Sequence, residues 1–429
     1  MLRKEQNELV TQSGPGTPLG NLFRRYWLPA LLARELPEPG CEPVRIKLLS
    51  EDLLAVYDRQ GKMGLIDEFC AHRGVSLWFG NQGEEGGIRC PYHGWHYGVD
   101  GSCLEVPSEP EDSNFKDRIK LNGYPLVERG GILWTYMGPP ELQPPLPEWE
   151  FAMVPEKHRF VSKRFQECNW LQALEGGIDS SHVSWLHRDG LKSDPLFKGA
   201  AGNDYNMKDL KPVFEVVDTP DGLLVGARRI ADDDNYYWRV TPWVMPCFTM
   251  VAPRGDHPVH GHFWVPIDDE NCWAWSFDYH AVRALTAEEV AAMEDGKGIH
   301  VRYVPGTFIP EQNKSNNYLI DRKAQHSGGP FSGVSGIGIQ DASLQESMGP
   351  IQDRTKEHLT STDQGIVKMR RTLMRVINEL HENGTEPPAV QPSAHHIRSA
   401  AMVLPRDAAF HEAGAEAMRA APGKPHASV

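Results

Sequence analysis

With 429 residues and a formal net charge of −14, the chain exceeds one ordinary domain and is too acidic to favour nucleic acid or an anionic membrane as partner, since both require basic patches. No run approaches the ~18 apolar residues of a membrane span, and the N-terminus is charged from Arg3 onward with no apolar core segment, so a soluble, cytoplasmic protein is expected. Seven cysteines are too few and too odd in number for a disulfide scaffold; in a reducing compartment, closely spaced Cys and His read as metal ligands.

Along the chain, residues 1–21 are expected to pack on a catalytic domain further on. Residues 22–148 are Gly-rich, with short β-type runs such as "VRIKLL", "LLAVYD" and "GILWTYMG" between turn-forming "DRQGKMG", "NQGEEGG" and "VDGSC", which predicts a small all-β domain. "PPELQPPLPEWEF" supplies a Pro-rich boundary. Residues 149–388 then predict a second, larger domain. It begins with a helix in "FQECNWLQALEGGIDSSHVSWLH" and continues with strands in "LLVGARRI", "NYYWRVTPWVMPCFTMVAP" and "CWAWSFDYHAV". Helices return in "TAEEVAAMEDG" and in "TDQGIVKMRRTLMRVINELHENG", where Ile366, Met369, Leu373, Val376, Ile377 and Leu380 share one face before Gly384. The final segment, 389–429, is rich in Ala, Pro and His and is expected to be a peripheral or partly disordered tail. The fold class is therefore α+β, and no internal repeat is present.

Two constellations carry chemistry. In "CAHRGVSLWFGNQGEEGGIRCPYHGWHYG", Cys70 and His72 occupy one loop and Cys90 and His93 another. One thiolate and one imidazole per loop suit an asymmetric two-iron cluster, with two Cys on one iron and two His on the other; neutral imidazoles raise its reduction potential. A zinc site could use the same four donors, but common fingers place two Cys before two His around a helix, whereas here the ligands alternate amid glycines. His96 reads as a surface or supporting residue, and Cys103 as a small buried hydrophobe.

The second constellation is Asp179, His182 and His187. An O2-activating metal needs open positions, so few protein ligands on one side suffice, and two His with one carboxylate is the recurring iron(II) solution. On a regular helix the two histidines would lie about 140° apart, so both reach one metal only if the segment is irregular, which the Gly176–Gly177 pair is expected to permit. Asp179, three residues before His182, is placed to hydrogen-bond a ligand imidazole and fix its tautomer. Taken alone, the pair would read as surface histidines on a polar helix.

"CAHRGVSLWFG" and "CPYHGWHYG" closely resemble the two ligand loops of Rieske non-haem iron oxygenases, and the likeness runs from "PGTPLGNLFRRYWLPA" to at least His358. The text looks most like the phthalate dioxygenase group of oxygenase (alpha) components. This resemblance implies an all-β [2Fe-2S] domain followed by a catalytic domain with an antiparallel sheet flanked by helices. It implies that His182 and His187 hold a mononuclear iron(II), with Glu175 where that motif often has Asn or Glu. A third ligand should be a downstream Asp. Asp341 in "QDASLQES" is favoured as an acid capping the following helix, over Asp353, which is expected to pair with Arg354 or Lys356. The resemblance also implies a homotrimer, or a hexamer of two trimers, in which the cluster of one chain feeds the iron of the next through Asp179, bridging the neighbour's His93 to His182.

No Gly-rich nucleotide fingerprint and no plant-type ferredoxin cysteine set is present, so NAD(P)H electrons are expected from a separate flavin and [2Fe-2S] reductase. An aromatic carboxylate would want an arginine clamp; Arg239, set among aromatics, leads Arg228 and Arg229. The expected reaction is cis-dihydroxylation of a benzoate- or phthalate-type acid. A monooxygenase or O-demethylase of the same family is the alternative within enzymes, and a non-catalytic electron-transfer or zinc-binding protein the alternative of another class.

Overall fold

Alternation builds the first sheet: along Val44–Leu48 the side chains of Ile46 and Leu48 turn inward while Arg45 and Lys47 stay outside the core. The computed structural model describes every residue except Glu111. It divides into one unit of Ser13–Pro144 and another of Met1–Gln12 with Pro145–Val429.

The first unit is all-β apart from short helical turns. Its strands are β1 (Trp27–Leu32), β2 (Val44–Leu48), β3 (Glu51–Tyr57), β4 (Met63–Asp67), β5 (Ile88–Arg89), β6 (His96–Tyr97), β7 (Cys103–Glu105), β8 (Gly123–Arg129) and β9 (Ile132–Tyr136). Six form an antiparallel sheet in the order β1-β9-β8-β4-β3-β2, and β5-β6-β7 form a smaller one. Between them Leu54, Val56, Ile66, Leu77, Ile88 and Tyr97 make a core that also takes in Cys70, Cys90 and Cys103. Two loops project from this core: Cys70–Gly74, following β4, and Cys90–Gly94, which joins β5 to β6.

The second unit is built on an antiparallel sheet of β10 (Arg159–Gln166), β11 (Val213–Thr219), β12 (Gly222–Ile230), β13 (Asn235–Val244), β14 (Phe248–Met250), β15 (Val259–Pro266), β16 (Cys272–Tyr279) and β17 (Ala400–Pro405). Its order is β10-β16-β15-β14-β13-β12-β11, with β17 added to β13. Every residue of β15 is buried, and the two-residue period puts His260, His262 and Trp264 on one face. Helix Trp170–Ile178, capped by the Asn169 side chain on the Leu171 amide, packs against that sheet and against helix Ile337–Ser347. Helix Gln364–Asn383 buries Met369, Leu373, Val376 and Ile377 and ends at Gly384, whose φ of 67° closes it in the left-handed region.

The expectation of a peripheral C-terminal tail is corrected. "AAMVLP" pairs with β13 from Ala400↔Val240 to Pro405↔Asn235, and Phe410 stacks on Trp238 with ring centroids 4.8 Å apart. Behind them Arg398 grips buried Glu150 with two hydrogen bonds. The Ala- and Pro-rich composition hid a strand whose small side chains fit against large aromatics.

Candidate functional site

The loops Cys70–Gly74 and Cys90–Gly94 share one backbone design. Each Cys amide donates to the carbonyl five residues on (Val75, Trp95), and each Gly amide donates back to its Cys carbonyl at 2.9 and 3.0 Å. Gly74 and Gly94 stand at φ 73° and 77°, conformations that suit glycine. The two thiols are buried and the two imidazoles exposed. The rings of His72 and His93 lie 4.4 Å apart, and Trp95 stacks on His72 at 4.7 Å. The amides of Tyr92 and His93 point at the Cys90 sulfur, and the Tyr97 hydroxyl lies 3.2 Å from Cys70 Sγ. Burial pushes the Cys90 thiol up, and the neighbouring Cys70 adds to it.

Among the described residues, the one set of three or more His, Cys, Asp or Glu donor atoms lying within 4.8 Å of one another is His182, His187 and Asp341. The Cys–His quartet is therefore too spread for one tetrahedral ion, whose ligands at 2.0–2.3 Å would sit about 3.3–3.8 Å apart. Two thiolates at one end and two imidazoles at the other fit a [2Fe-2S] cluster.

In the second unit the helix expected to run through His187 ends at Ile178. Asp179 is extended, His182–Ser184 form a 3-10 turn, and the chain then turns again. This break, rather than an irregular helix, brings the two imidazoles together. The glycine pair serves another purpose than the one expected. A Cβ on Gly176 would stand 2.3 Å from the Gln345 amide nitrogen, and one on Gly177 would stand 2.9 Å from Trp264 Nε1. The glycines thus let the helix approach both the second helix and β15.

His182 Nε2 and His187 Nε2 lie 3.2 Å apart, with Asp341 Oδ1 at 3.2 Å from the latter and 3.6 Å from the former. Cis positions on an octahedral metal with ~2.1 Å bonds lie about 3.0 Å apart, so these three atoms fit one face of an iron(II) site and leave the opposite face free of protein ligands. The other nitrogens are occupied. His182 Nδ1 donates to Asp179 Oδ2 at 3.2 Å, and His187 Nδ1 donates to Gln340 Oε1 at 2.9 Å. Gln340 is itself oriented, its amide donating to the Val334 carbonyl at 2.9 Å, and Asp179 Oδ1 accepts from the Ser181 amide at 2.7 Å. These partners hold both imidazoles with Nε2 available to a metal.

Burial works against the charged forms of Asp179, His182 and Asp341, and their partners outweigh it. Asp179 falls below its usual range through its hydrogen bond to His182, and His182 rises through the same contact. His187 beside Asp341 lowers that carboxyl to about 2.

A cavity adjoins the triad, walled by Val183, Phe197, Val251, Trp264 and Ile337. Arg239 and Arg254 also line it. Both are buried, and Arg239 Nε, Arg239 Nη1 and Arg254 Nε have no hydrogen-bond partner. No carboxylate is among the groups that shift either guanidinium: Tyr237 acts on Arg239, and Arg239, Tyr237 and Arg229 act on Arg254. Burial pushes both guanidiniums down in pKa. Burying an arginine without a counter-ion is costly.

The other candidates lie elsewhere. Glu175, expected at the centre, is turned away from the cavity: it takes Arg354 at 3.0 Å through both oxygens and Arg370 at 2.6 Å. Glu175 is therefore corrected from a catalytic candidate to a buried ion-pair partner of Arg354 and Arg370. Asp341 sits in the second turn of helix Ile337–Ser347 rather than at its cap, which is Gly336. Asp353 pairs with Lys356 at 2.8 Å. Arg229 braces the histidine segment through the Ser180 carbonyl at 2.9 Å, whereas Arg228 lies over Tyr236. His96 is buried, with Nε2 at 2.7 Å from the Gly86 carbonyl. Gln340 and Arg254 were not identified from sequence; one reads as a helix-surface residue and the other as part of the turn "APRGDHP".

A description of the Rieske [2Fe-2S] domain matches residues 26–125, and one described as LigXa C-terminal domain like matches residues 135–425. The chain is 36% identical over 407 residues to the 3-chlorobenzoate-3,4-dioxygenase oxygenase subunit of Comamonas testosteroni, covering 91% of this chain and 92% of that one. It is 35% identical over 394 residues to the phthalate 4,5-dioxygenase oxygenase subunit of Pseudomonas putida, covering 87% and 86%. The fold matches that of dicamba monooxygenase bound to dicamba with a TM-score of 0.58 at 16% identity, covering 83% of this chain and 98% of that one. Among the described residues no helix is long and apolar enough to cross a membrane. The chain belongs to the Rieske non-haem iron oxygenases, as an oxygenase (alpha) subunit of an aromatic dioxygenase or monooxygenase system.

Proposed function

We propose that this subunit oxidises an aromatic carboxylate, and that the reaction is cis-dihydroxylation of a benzoate- or phthalate-type acid. One observation carries the reading: unpartnered nitrogens of Arg239 and Arg254 line the cavity that His182, His187 and Asp341 also line. A carboxylate seated on Arg239 would supply the hydrogen-bond partners that its nitrogens lack. The apolar walls, Phe197, Val251 and Trp264 among them, would hold the ring and exclude water.

In this reading Cys70, His72, Cys90 and His93 hold the cluster, and His182, His187 and Asp341 hold the iron. Once bound, these groups supply electron transfer and reductive activation of O2, with electrons drawn from a separate NAD(P)H-dependent flavin and [2Fe-2S] reductase. Asp179 keeps the Nδ1 proton of His182 in place. Its carboxylate is only partly buried, which supports a second role: in a homotrimer it would meet the exposed His93 of a neighbouring copy and join the two centres. Asp179→Asn is expected to keep both metals and lose most turnover; full, coupled activity would exclude that role.

The substrate reading is tested by screening aromatic acids for O2 uptake with a generic reductase and identifying products made with labelled O2. Both labelled atoms in a cis-diol are expected. One labelled atom, or a demethylated product, would identify a monooxygenase, and a preference for uncharged arenes would exclude the arginine anchor.

A further inference from the structure

Arg239 is the anchor in the proposed reading; Arg254, the second arginine of the cavity wall, sits in a place of its own. It is held from two sides, its Nη1 donating to Asn203 Oδ1 at 2.8 Å and its guanidinium lying 5.5 Å over the Phe197 ring. Asn203 is fixed in turn, its amide donating to the carbonyls of Leu191 at 3.0 Å and Phe197 at 2.7 Å. The same Phe197 ring is 5.1 Å from that of His260, which comes from β15. Arg254, Phe197 and His260 all line the cavity. Arg254 is 5% exposed and His260 3%. Among the described residues, Arg254 Nε and His260 Nδ1 have no hydrogen-bond partner.

The acids in reach are engaged elsewhere. Of the carboxylates that line the cavity, Asp179 takes His182 Nδ1 and the Ser181 amide, and Asp341 Oδ1 faces Nε2 of both histidines. Asp278 stands opposite His260 on β16, but His300 Nε2 takes it at 2.7 Å, and His300 Nδ1 is held by Ser162 Oγ at 2.7 Å. Burial raises that carboxyl toward its neutral form. Two of the three groups that act on Arg254, Arg239 and Arg229, are themselves cations. Burial beside Arg254 keeps His260 neutral, so its ring offers a hydrogen bond and no competing charge. One carboxylate on Arg239 therefore still leaves Arg254 without an acid partner, which is costly for a buried guanidinium. An anion beside Arg254 would accept from its Nε and from a protonated His260 Nδ1 and remove that cost.

We propose that Arg254 and His260 form a second anion subsite, separate from the Arg239 anchor and filled together with it. The proposal rests on the reading that Arg239 takes the carboxylate of the aromatic acid. The ligand of the second subsite is a compact anion with accessible lone pairs. Two sources supply that chemistry: a second acid group on the aromatic substrate, or a small solvent anion such as chloride or bicarbonate that enters with a mono-acid. In either case the occupied cavity holds two negative charges against its two arginines. No bond is made or broken at the subsite, which acts through binding alone. Asn203 and Phe197 hold the Arg254 guanidinium before a ligand arrives, so little ordering is left to oppose binding.

Anaerobic ligand titrations of the holoenzyme test it, with gluconate in place of chloride at constant ionic strength. The probes are benzoate and the isomeric benzenedicarboxylates, applied to the wild type, Arg254→Met and His260→Phe. If the substrate supplies the second anion, at least one diacid binds the wild type about 30-fold or more tightly than benzoate, as for a buried charged pair. Both variants then lose that margin while their benzoate Kd is unchanged. If solvent supplies it, replacing gluconate with chloride or bicarbonate tightens benzoate binding and raises the melting temperature of the wild type, and both variants lose that response. Should Arg254→Met fail to fold, His260→Phe carries the same comparisons. Neither effect in the wild type, or an effect retained in either folded variant, would overturn the subsite. Failure of the anchor reading is a different result: benzoate binding is absent, or is unchanged in Arg239→Met, while the Arg254-dependent anion response of the melting temperature persists.

Discussion

Two residues at the iron site do work that their immediate sequence does not announce. Gln340 holds His187 by a single 2.9 Å hydrogen bond. Gln340→Leu is expected to leave the fold intact and weaken metal binding about 10–100-fold, as losses of such outer partners do; anaerobic titration of the metal-free protein with cobalt(II) or iron(II) measures it. Arg239 is the anion anchor in the proposed reading. Arg239→Met should raise the substrate Kd about 100-fold, the ~3 kcal/mol of a buried charged hydrogen-bond pair, while metal content stays constant; an unchanged Kd by substrate titration would assign the anchor to Arg254. In the other unit, the Tyr97 hydroxyl, 3.2 Å from Cys70 Sγ, would withdraw charge from that sulfur in the proposed cluster. Tyr97→Phe is expected to lower the cluster potential by tens of millivolts, each ~59 mV being one tenfold in a one-electron equilibrium, as read by redox titration of the visible spectrum.

At the scale of elements, helix Trp170–Ile178 has two faces with different tasks. One presents Gly176 and Gly177 to Gln345 and Trp264, and the other sets Glu175 between Arg354 and Arg370, with Glu357 closing the network on Arg370. The charges balance, two acids against two arginines, in contrast to the unpaired arginines of the cavity. Burial would raise the Glu175 carboxyl, but the two arginines win and hold it below its usual range. A carboxyl with a depressed folded pKa contributes stability above its unfolded value of about 4.3, and that contribution is lost as pH falls through the folded value. Glu175→Gln should therefore destabilise the catalytic unit by about 3–5 kcal/mol at pH 7 and flatten its loss of stability below about pH 4.3. Denaturant melts across pH check both.

For the whole molecule the open matter is how electrons reach the iron. In the proposed trimer, Cys90→Ala chains lack a cluster and His182→Ala chains lack the iron, and each alone should be inactive. Mixed at random in one trimer, about a quarter of the sites would pair an intact cluster with an intact neighbouring iron. Co-expression is therefore expected to recover measurable product formation, whereas transfer confined within a chain would recover none.

The sequence alone singled out the candidate cluster ligands, because Cys70, His72, Cys90 and His93 lie in two short loops whose spacing and glycines are local features. It also determined most strands, the late amphipathic helix and the pair His182–His187, since those depend on period and spacing over a few residues. Asp341 was legible as an acid in the right region, though for a capping role it does not have. The tertiary structure decided what depends on distant partners. It turned Glu175 toward two arginines some 180–195 residues away, and it made a sheet strand of the Ala-rich C-terminal segment. It also gathered Gln340, Arg254 and the Asp278–His300–Ser162 group from segments that share no local pattern. The physical reason is that a hydrogen bond or ion pair acts over about 3 Å between side chains, and only packing of the whole chain sets which side chains come that close.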